Sequence, residues 1–358
     1  MNHEAFMARL AEQVAGIAGP AAKLKDALEY LHRGFTTGRG RRAPDYLVTP
    51  RDAKAYLALS GLTNAARASF VLHRHRLALG EGERALDVGC GVGVTALALA
   101  ARSHPKSEIV LVDQSEPALE LAQKLFAKLF PDGPRVKTRK ADLARDAKAL
   151  PGGTFAVTMA GHVLNELHPR RGRDPGPARD LAVSLAKRSG TLVITEPAQR
   201  VPARALARIR GALLEAKFGI LGPCPHSGRC PTLAPGAKDW CVVDVPFQRP
   251  PVVADVDGVL DLERTRLTVT YLAVSKSARD PRGGVLEVLS EPMRGKHGTV
   301  IYLCGARGRV ALTLPTPPKS PLYRGNRIRL PKGAKPSGKD KSGAPRIRVG
   351  LDEIERVG

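Results

Sequence analysis

Between residues 84 and 197 the chain alternates short apolar runs with segments of helical periodicity, and this alternation restricts the possible folds most. The apolar runs include RALDVG, EIVLVD, FAVTMAG and GTLVITEP, and the segment PALELAQKLFAKLF has the spacing of an amphipathic helix. Strands that alternate with helices favour a parallel sheet with helices on both faces. We therefore predict an α/β fold with a doubly wound core over residues 76–200.

The first predicted strand leads directly into a glycine-rich turn, DVGCGVGVT. Gly89, Gly91 and Gly93 allow the backbone to turn tightly and to approach a ligand, and the start of the next helix supplies free N–H groups. A plain structural turn is one interpretation. A dinucleotide site is another, but the G-x-G-x-x-G pattern requires a glycine where this chain has Val94. The G-x-G-x-G spacing therefore favours a different nucleoside-containing cofactor.

Three acidic residues accompany this turn. Asp87 precedes it, and Asp113 ends the next predicted strand, where a carboxylate can accept hydrogen bonds from both hydroxyls of a ribose. Asp142 ends the third predicted strand, RVKTRKAD, where a side chain can meet the edge of an adenine. This arrangement resembles the class I S-adenosylmethionine-dependent methyltransferases. The resemblance implies a Rossmann-like core whose cofactor-binding residues are Asp87, Gly89, Gly91, Gly93, Asp113 and Asp142.

The segment AGHVLNELHP follows the fourth predicted strand, at the carboxyl end of the sheet, where substrates meet cofactors in open α/β folds. Methyl transfer depends mainly on positioning, so the sequence need not contain a strong catalytic base. In one interpretation Leu164 and Leu167 pack this segment as a helix and its polar residues face solvent. In the other, four polar residues line the substrate mouth: His162, Asn165, Glu166 and His168. The first three of them are the catalytic candidates.

Four of the five cysteines lie outside the glycine turn: Cys224, Cys230, Cys241 and Cys304. In a reducing compartment, loop cysteines are more often metal ligands or catalytic groups than disulfides. Four thiolates suit a zinc ion or an iron–sulfur cluster, although the closest pair, C-x₅-C, is wider than the usual knuckle of structural zinc. Four unrelated buried residues are a further interpretation. His226 is either a spare ligand or a hydrogen-bond donor within the loop.

A combination of motifs makes a more specific resemblance: VLNEL, LVITEP, GPCPHSGRCP, DWC and RGKHGTVIYLCGARGR. Together they resemble the bacterial branch of the methyltransferase-like protein 17 family, the small-ribosomal-subunit assembly methyltransferases. The resemblance implies that Cys224, Cys230, Cys241 and Cys304 hold a 4Fe-4S cluster and that the protein associates with the small subunit near its 16S rRNA. The chain departs from the family at Val242, where relatives often have histidine, and in AYLALSGLTNAA, which lacks their Arg-x-Pro-Ala segment.

The charge balance indicates the kind of partner. The chain has 57 Lys and Arg against 34 Asp and Glu, a net charge of +23, which favours a polyanion such as nucleic acid. Part of the excess is clustered, because the segment from Lys319 to Arg348 contains ten basic residues and a single acid, Asp340. We predict a flexible basic tail over residues 316–358 that contacts RNA, since it has too little apolar sequence to order itself.

The N-terminal segment has the pattern of an amphipathic helix rather than a secretory signal, and no apolar run approaches the ~20 residues of a membrane span. We therefore expect a cytoplasmic protein without a membrane partner. Five regions are predicted: a helical region 1–75, the cofactor-binding core 76–200, a helix and cysteine loop 201–250, a small β-rich region 251–315 and the basic tail 316–358.

Two functions fit these observations. The first is an S-adenosylmethionine-dependent methyltransferase acting on small-subunit rRNA or a ribosomal protein, with the iron–sulfur cluster, or zinc, in a structural role. The second is a non-catalytic rRNA-binding assembly factor on a methyltransferase scaffold. A small-molecule methyltransferase is a third hypothesis, and the basic tail and the cysteine loop argue against it.

Overall fold

The computed structural model describes residues 1–36, 46–143, 149–167, 175–278, 283–315 and 321–357. The chain divides into two compact units. The first unit comprises Met1–Gly172, Lys187–Thr195 and Val245–Leu267. The second unit comprises Arg173–Ala186, Glu196–Asp244 and Thr268–Gly358. Within the described ranges, no helix is both long enough and apolar enough to cross a membrane.

A parallel sheet forms the centre of the first unit. Its strands are β1 (Arg84–Val88), β2 (Glu108–Asp113), β3 (Arg135–Lys140), β4 (Phe155–Gly161) and β5 (Ser189–Glu196). They lie in the order β3-β2-β1-β4-β5, and in β1 Leu86 lies opposite Val110 of β2 and Thr158 of β4. Because the strand order reverses at β1, a crevice opens at the carboxyl ends of β1 and β4. The predicted α/β fold is confirmed, and the glycine turn leaves β1 at this crevice.

Most of the predicted helices are present. In the described part of the chain they are α1 (His3–Ala18), α2 (Lys25–Phe35), α3 (Pro50–Tyr56), α4 (Leu62–Arg74), α5 (Val94–Ala100), α6 (Glu116–Leu129), α7 (Leu164–Leu167), α8 (Pro177–Lys187), α9 (Arg200–Glu215) and α10 (Pro251–Leu260). Thr49 caps α3, because its Oγ1 accepts from the Asp52 N–H at 3.1 Å while Asp52 accepts from the Thr49 N–H at 2.9 Å. A π-helical turn, Leu57–Gly61, joins α3 to α4.

Helix α10 corrects one prediction. The sequence pattern predicted β structure from residue 251 onward, and residues 251–260 are helical instead. Val256 belongs to a buried cluster of the first unit that also contains Leu28 and Leu59. The β-branched composition PVVADVDGVL is typical of strands, but burial of one helical face overrides that preference.

The second unit contains antiparallel strands and a separate sheet. Strand β6 (Gly219–Gly222) pairs with β8 (Leu267–Ser275), and β7 (Val243–Val245) also pairs with β8. The separate sheet consists of β9 (Val285–Val288), β10 (Met293–Gly295), β11 (Gly298–Gly305), β12 (Gly308–Leu314), β13 (Arg327–Arg329), β14 (Arg346–Arg348) and β15 (Glu355–Val357). Its order is β14-β12-β11-β9-β13-β15, with β10 paired to β11.

The expectation of a flexible basic tail is wrong for residues 321–357. Strands β13, β14 and β15 all belong to the separate sheet, so this segment is ordered. Leu322, Ile328, Ile347 and Val349 are buried in the same apolar cluster as Leu303 of β11. The charged composition concealed this because each short strand contributes one apolar residue, too few to show a local pattern. Residues 316–320 lie outside the described ranges.

Candidate functional site

The glycine turn exposes bare backbone at the end of β1. Gly89, Gly91 and Gly93 have φ angles of +63°, +52° and +75°, which side-chain-bearing residues rarely adopt. A side chain at Gly89 would also collide with Val163. At Gly91 there is more space, since the nearest atom to a Cβ placed there is Tyr56 Cε1 at 3.7 Å. The turn therefore has the open backbone that close approach of a ligand requires.

Asp113 ends β2 and is joined to this turn. Its Oδ2 accepts from the Gly91 N–H at 2.7 Å, and its Oδ1 accepts from the Ser115 N–H at 2.9 Å. Burial raises the pKa of Asp113, and the hydrogen bonds from Ser115 and Gly91 oppose that increase. The side chain is only partly covered. Because each carboxylate oxygen has a second lone pair, Asp113 can still accept from hydroxyl groups of a ligand.

Asp87 lies behind the turn. It is fully buried, its Oδ2 accepts from the Ala96 N–H in α5 at 3.1 Å, and its Oδ1 has no partner among the described residues. Burial raises the pKa of Asp87 to about 8, the Ala96 hydrogen bond opposes the increase and the nearby Asp113 adds to it. Asp87 therefore connects β1 to the start of α5, and its predicted contact with a cofactor stays a prediction.

Asp142 follows β3 at the same edge of the sheet. The N–H of the preceding residue, Ala141, donates to the Asp113 carbonyl oxygen at 2.9 Å. This bond holds the carboxyl ends of β2 and β3 side by side, and Asp142 remains partly exposed there. The structure thus brings the turn, Asp113 and Asp142 to neighbouring strand ends, while the contact between Asp142 and an adenine stays a prediction.

His162 follows β4 in an unusual backbone conformation, with φ +60°, and its N–H donates to the Thr195 carbonyl oxygen at 2.7 Å. The Nε2 atom is buried and has no hydrogen-bond partner in the described part of the chain. Burial lowers the pKa of His162 to about 3, and the positive charge of Arg67 contributes. The imidazole is therefore neutral at neutral pH.

The other candidates of this segment make contacts within the first unit. Asn165 Nδ2 donates to the His162 carbonyl oxygen at 2.7 Å, and Tyr46 Oη donates to Glu166 Oε1 at 3.2 Å. Glu166 is exposed, Asn165 is partly covered, and Leu164 is buried as the packing interpretation expects. The fourth candidate, His168, lies outside the described residues.

Three polar residues near the turn were not found from the sequence. Arg67 Nη1 donates to Asn64 Oδ1 at 2.8 Å, and Asn64 Nδ2 donates to Tyr56 Oη at 3.5 Å. Burial lowers the pKa of Arg67 to about 10, and the charge of Arg264 contributes. The available signal was an arginine within the apolar stretch ARASFVL, because a cation is costly to bury without partners.

The four predicted cysteines of the second unit form one electrostatic group. Burial raises the pKa of Cys224 to about 11, and Cys230 contributes to the increase. Burial also raises the pKa of Cys241, with contributions from Cys224, Cys304 and Cys230. Cys304, on β11, is affected in the same way. Because the effect of one thiolate on the pKa of another falls with distance, these mutual effects indicate that the four thiols lie in one region of the second unit.

Arginine side chains hold the cysteine loop, residues 222–241. This loop has little regular structure, so its backbone carbonyls need donors from elsewhere. Arg210 donates to the His226 carbonyl at 2.5 Å and to the Gly228 carbonyl at 2.9 Å. Arg204 donates to the Ala237 carbonyl at 2.8 Å, and Arg327 donates to the Pro223 carbonyl at 3.3 Å. Arg309 also pairs with the Asp239 carboxylate at 2.5 Å.

His226 lies beside one of the thiols. It is 4% exposed, and its Nε2 is 3.3 Å from Cys304 Sγ. Cys230 Sγ makes a similar contact, at 3.2 Å from Thr232 Oγ1. Of the two roles considered for His226, this geometry agrees with the hydrogen-bonding role.

Residues 55–330 match the sequence model of a family described as mitochondrial small ribosomal subunit Rsm22. The match covers well over half of the chain and includes the glycine turn, Asp113 and the four clustered cysteines. This chain belongs to the Rsm22 family. No curated protein matches this Rsm22 family member.

Several solved methyltransferase structures are similar to this Rsm22 family member. Magnesium protoporphyrin IX methyltransferase from Synechocystis PCC 6803 with bound S-adenosylmethionine is 15% identical over 70% of this chain and 97% of its own, with a TM-score of 0.38. A methyltransferase from Aquifex aeolicus is 17% identical over 63% and 98%, with a TM-score of 0.37. Precorrin-6y C5,15-methyltransferase from Geobacter metallireducens is 14% identical over 58% and 88%, with a TM-score of 0.36. At these scores, the fold assignment rests on the strand order of the chain itself.

The cysteine group of this Rsm22 family member fits a thiolate-bound cluster in its chemistry. Among the described residues, no three His, Cys, Asp or Glu side chains are arranged to hold a single metal ion. A cluster of several atoms needs its ligands further apart than one ion does. Burial raises the pKa of Cys224, Cys241 and Cys304, so these thiols are protonated in the metal-free chain and would lose their protons on binding a metal.

Proposed function

We propose that this chain is a methyltransferase-like protein of the small ribosomal subunit, which binds S-adenosylmethionine and takes part in rRNA methylation, subunit assembly or both. The description of the Rsm22 family and the motif resemblance to the bacterial methyltransferase-like protein 17 branch support this partner. A 16S rRNA partner in the cytoplasm agrees with that branch and with the net charge of +23. The observation that carries the proposal is the hydrogen bond from Gly91 to Asp113, which joins the turn and the ribose-binding carboxylate in one site.

In this proposal the first unit holds S-adenosylmethionine. The open backbone of Gly89, Gly91 and Gly93 accommodates the cofactor, and Asp113 accepts hydrogen bonds from its ribose hydroxyls. Asp142, at the neighbouring strand end, is the residue proposed for the adenine. Asp87 supports the site from behind, since it fixes the start of α5. The charge pattern suits the uncharged adenosine part of S-adenosylmethionine better than a diphosphate, because two carboxylates at one edge of the sheet repel phosphates.

In the second unit, we assign Cys224, Cys230, Cys241 and Cys304 to a 4Fe-4S cluster, with zinc as the alternative. The mutual effect of the thiols on their pKa values supports one shared group. Such a cluster serves structure here rather than catalysis, since the methyl donor carries its own reactive group. His226 then donates to a ligand sulfur, Cys304, and so influences the cluster from outside its ligand shell.

S-adenosylmethionine supplies an electrophilic methyl group, so the chain has to orient the acceptor and remove its proton where one is present. His162 is a candidate for positioning the acceptor rather than for taking its proton. Its Nε2 makes no hydrogen bond within the described chain, but burial lowers its pKa to about 3 and makes it a weak base. Glu166 is exposed and Asn165 partly so, and both are candidates for contacting the acceptor. These three residues follow β4, at the crevice where the turn lies.

A non-catalytic role as an rRNA-binding assembly factor is the second candidate function. One observation favours it: the candidate side chains contact the protein itself, Asn165 through the His162 carbonyl and Glu166 through Tyr46. In that case the methyltransferase fold serves as a scaffold, and the cofactor site is retained for stability or regulation.

The first experiment tests the cofactor site. Binding of S-adenosylmethionine to Asp113→Ala is measured by calorimetry, with Asp132→Ala as the control because Asp132 is exposed and its side chain makes no hydrogen bond or ion pair within the described residues. We expect binding to be lost only in Asp113→Ala, and retained binding would refute the ribose assignment. Normal small-subunit assembly in cells that carry Asp113→Ala would favour the scaffold over the enzyme.

The second experiment tests the cysteine group. Protein purified without oxygen is examined by visible absorption, and iron, sulfide and zinc are counted per chain. Iron and sulfide at about four each, lost in Cys230→Ser and kept in Cys90→Ser, is the expected result. Zinc in their place, or no metal, would withdraw the cluster and leave the S-adenosylmethionine site as a separate proposal.

A further inference from the structure

An ordered basic hairpin lies at one edge of the separate sheet in the second unit. We call residues 335–348 the basic hairpin. Its two arms are joined by backbone bonds from the Ser337 N–H to the Arg346 carbonyl at 2.7 Å and from the Arg346 N–H to the Gly338 carbonyl at 2.9 Å. Strand β14, the second arm, pairs with β12. The hairpin carries five cations: Lys335, Lys339, Lys341, Arg346 and Arg348.

Both carboxylate oxygens of Asp340, the only acid of the hairpin, accept hydrogen bonds from the protein. Asp340 Oδ2 accepts from Tyr302 Oη of β11 at 2.5 Å. Asp340 Oδ1 accepts from the Ser342 N–H at 2.8 Å, from Ser342 Oγ at 2.6 Å and from the Ala344 N–H at 2.9 Å. Asp340 therefore closes the turn and attaches it to the sheet. It fixes the directions in which the neighbouring lysines leave the backbone.

The five cations have no acidic partner in the described part of the chain. Other arginines of the same sheet are paired, as with Arg329 and Glu355 at 2.7 Å and Arg327 and Glu287 at 3.6 Å. Like charges held together in an ordered element repel one another and destabilise it. Arg327 and Arg329 have acidic partners on neighbouring strands, whereas the five cations of the basic hairpin have none in the described chain, so the hairpin keeps a surface for an anionic partner.

The chemistry of the hairpin favours phosphates of nucleic acid over a lipid surface. Its large apolar residue, Ile347, is buried, and so is the adjacent Val349. Stable binding to a membrane surface draws on apolar side chains that enter the lipid in addition to charge, and the described hairpin residues have no large apolar side chain exposed for that purpose. Lysine and arginine contacts to phosphate oxygens need no apolar insertion and carry no sequence information.

We propose that the basic hairpin is a preformed RNA-backbone contact surface, in which Asp340 holds the cations in place. The inference rests on the proposed function only for the identity of the RNA as ribosomal. A disordered tail would bind RNA through its charge alone. The affinity of the ordered hairpin for RNA also depends on the turn that Asp340 holds.

The test compares Lys339→Gln/Lys341→Gln with a control, Lys124→Gln/Lys128→Gln, which removes two exposed lysines from α6. The probe is a fluorescein-labelled RNA stem–loop, titrated in increasing salt. Each lost phosphate contact reduces the slope of log affinity against log salt by ~0.7–0.9, so the hairpin variant should lose ~1.4–1.8. Between ~50 and ~200 mM salt, its loss of affinity is then about tenfold smaller than that of the wild type.

The variant Asp340→Ala separates an ordered surface from a charged tail. Removing a negative charge strengthens RNA binding if charge alone matters, and it weakens binding if the turn has to be held. We expect weaker binding, with the fold verified by circular dichroism. Tighter binding, an unchanged salt slope in the lysine variant, or preferential binding to phosphatidylglycerol vesicles would overturn the proposal and leave the S-adenosylmethionine and cysteine proposals untouched. Loss of the stem–loop without loss of small-subunit association would support the surface and contradict its ribosomal use.

Discussion

Replacement of Arg210 tests how the cysteine loop is held. Arg210 is 4% exposed, and its guanidinium donates to the His226 carbonyl at 2.5 Å and the Gly228 carbonyl at 2.9 Å. Arg210→Met keeps the apolar stem and removes both donors. A buried acceptor left without a donor costs about 1–3 kcal/mol. Gly228 is exposed, so water can replace that bond, whereas His226 is buried. We therefore expect the loop to lose about 1–3 kcal/mol of its stability against local opening, from the His226 carbonyl alone.

Limited trypsin digestion measures this opening, because Arg229 lies in the loop and is exposed. When reclosing is faster than cleavage, the cleavage rate follows the open population. A change of about 1–3 kcal/mol corresponds to about 5- to 150-fold faster cleavage after Arg229. The control is Arg200→Met, which removes an exposed arginine of α9 that makes no hydrogen bond within the described chain. Equal cleavage of the two variants would refute the role of Arg210, and Arg210→Lys should be intermediate because an ammonium reaches one carbonyl at a time.

Three further perturbations have defined outcomes. Because the pKa of Asp87 is raised to about 8, its contribution to stability is full below about pH 4 and is lost as the pH rises through about 8. Asp87→Asn should flatten that decline in urea midpoints measured from about pH 5 to about pH 9. Gly89→Ala should destabilise the first unit by more than about 1 kcal/mol through its positive φ and its collision with Val163, and Gly89→Ala/Val163→Ala should recover part of the loss. Ile347→Ala should lower the free energy of unfolding by about 2–4 kcal/mol, because the side chain is buried. A change under about 0.5 kcal/mol would contradict the burial of Ile347 and the order of this segment.

The core of the first unit could be predicted because its strands are covered on both faces. Buried parallel strands have continuous apolar runs, so β1 and β2 were visible as RALDVG and EIVLVD. The short strands β13 and β14 have the sequence Arg-Ile-Arg, with one buried residue each. Their order depends on partners distant in sequence, β9 and β12, and a local pattern contains no information about such partners.

The same distinction applies to the candidate site. The turn and Asp113 could be found because both follow strands, and strand ends are fixed by the fold class. The contact chain from Tyr56 through Asn64 to Arg67 could not, since the π-helical turn Leu57–Gly61 lies inside it. One additional residue in a helix rotates everything after it by about 100°, so regular helical spacing assigns these side chains to the wrong face.

The contacts of the cysteine loop indicate whether a bound cluster is needed to keep the loop folded. In small zinc domains the metal provides the folding free energy, because the apolar core is too small to keep the chain folded alone. Here the loop carbonyls find donors in Arg204, Arg210 and Arg327, and Arg309 holds the Asp239 carboxylate. Loop order therefore has a source in the protein itself. Replacement of a cysteine should therefore remove a ligand and leave the loop ordered. Replacement of Arg210 should instead loosen the loop and leave all of its ligands in place.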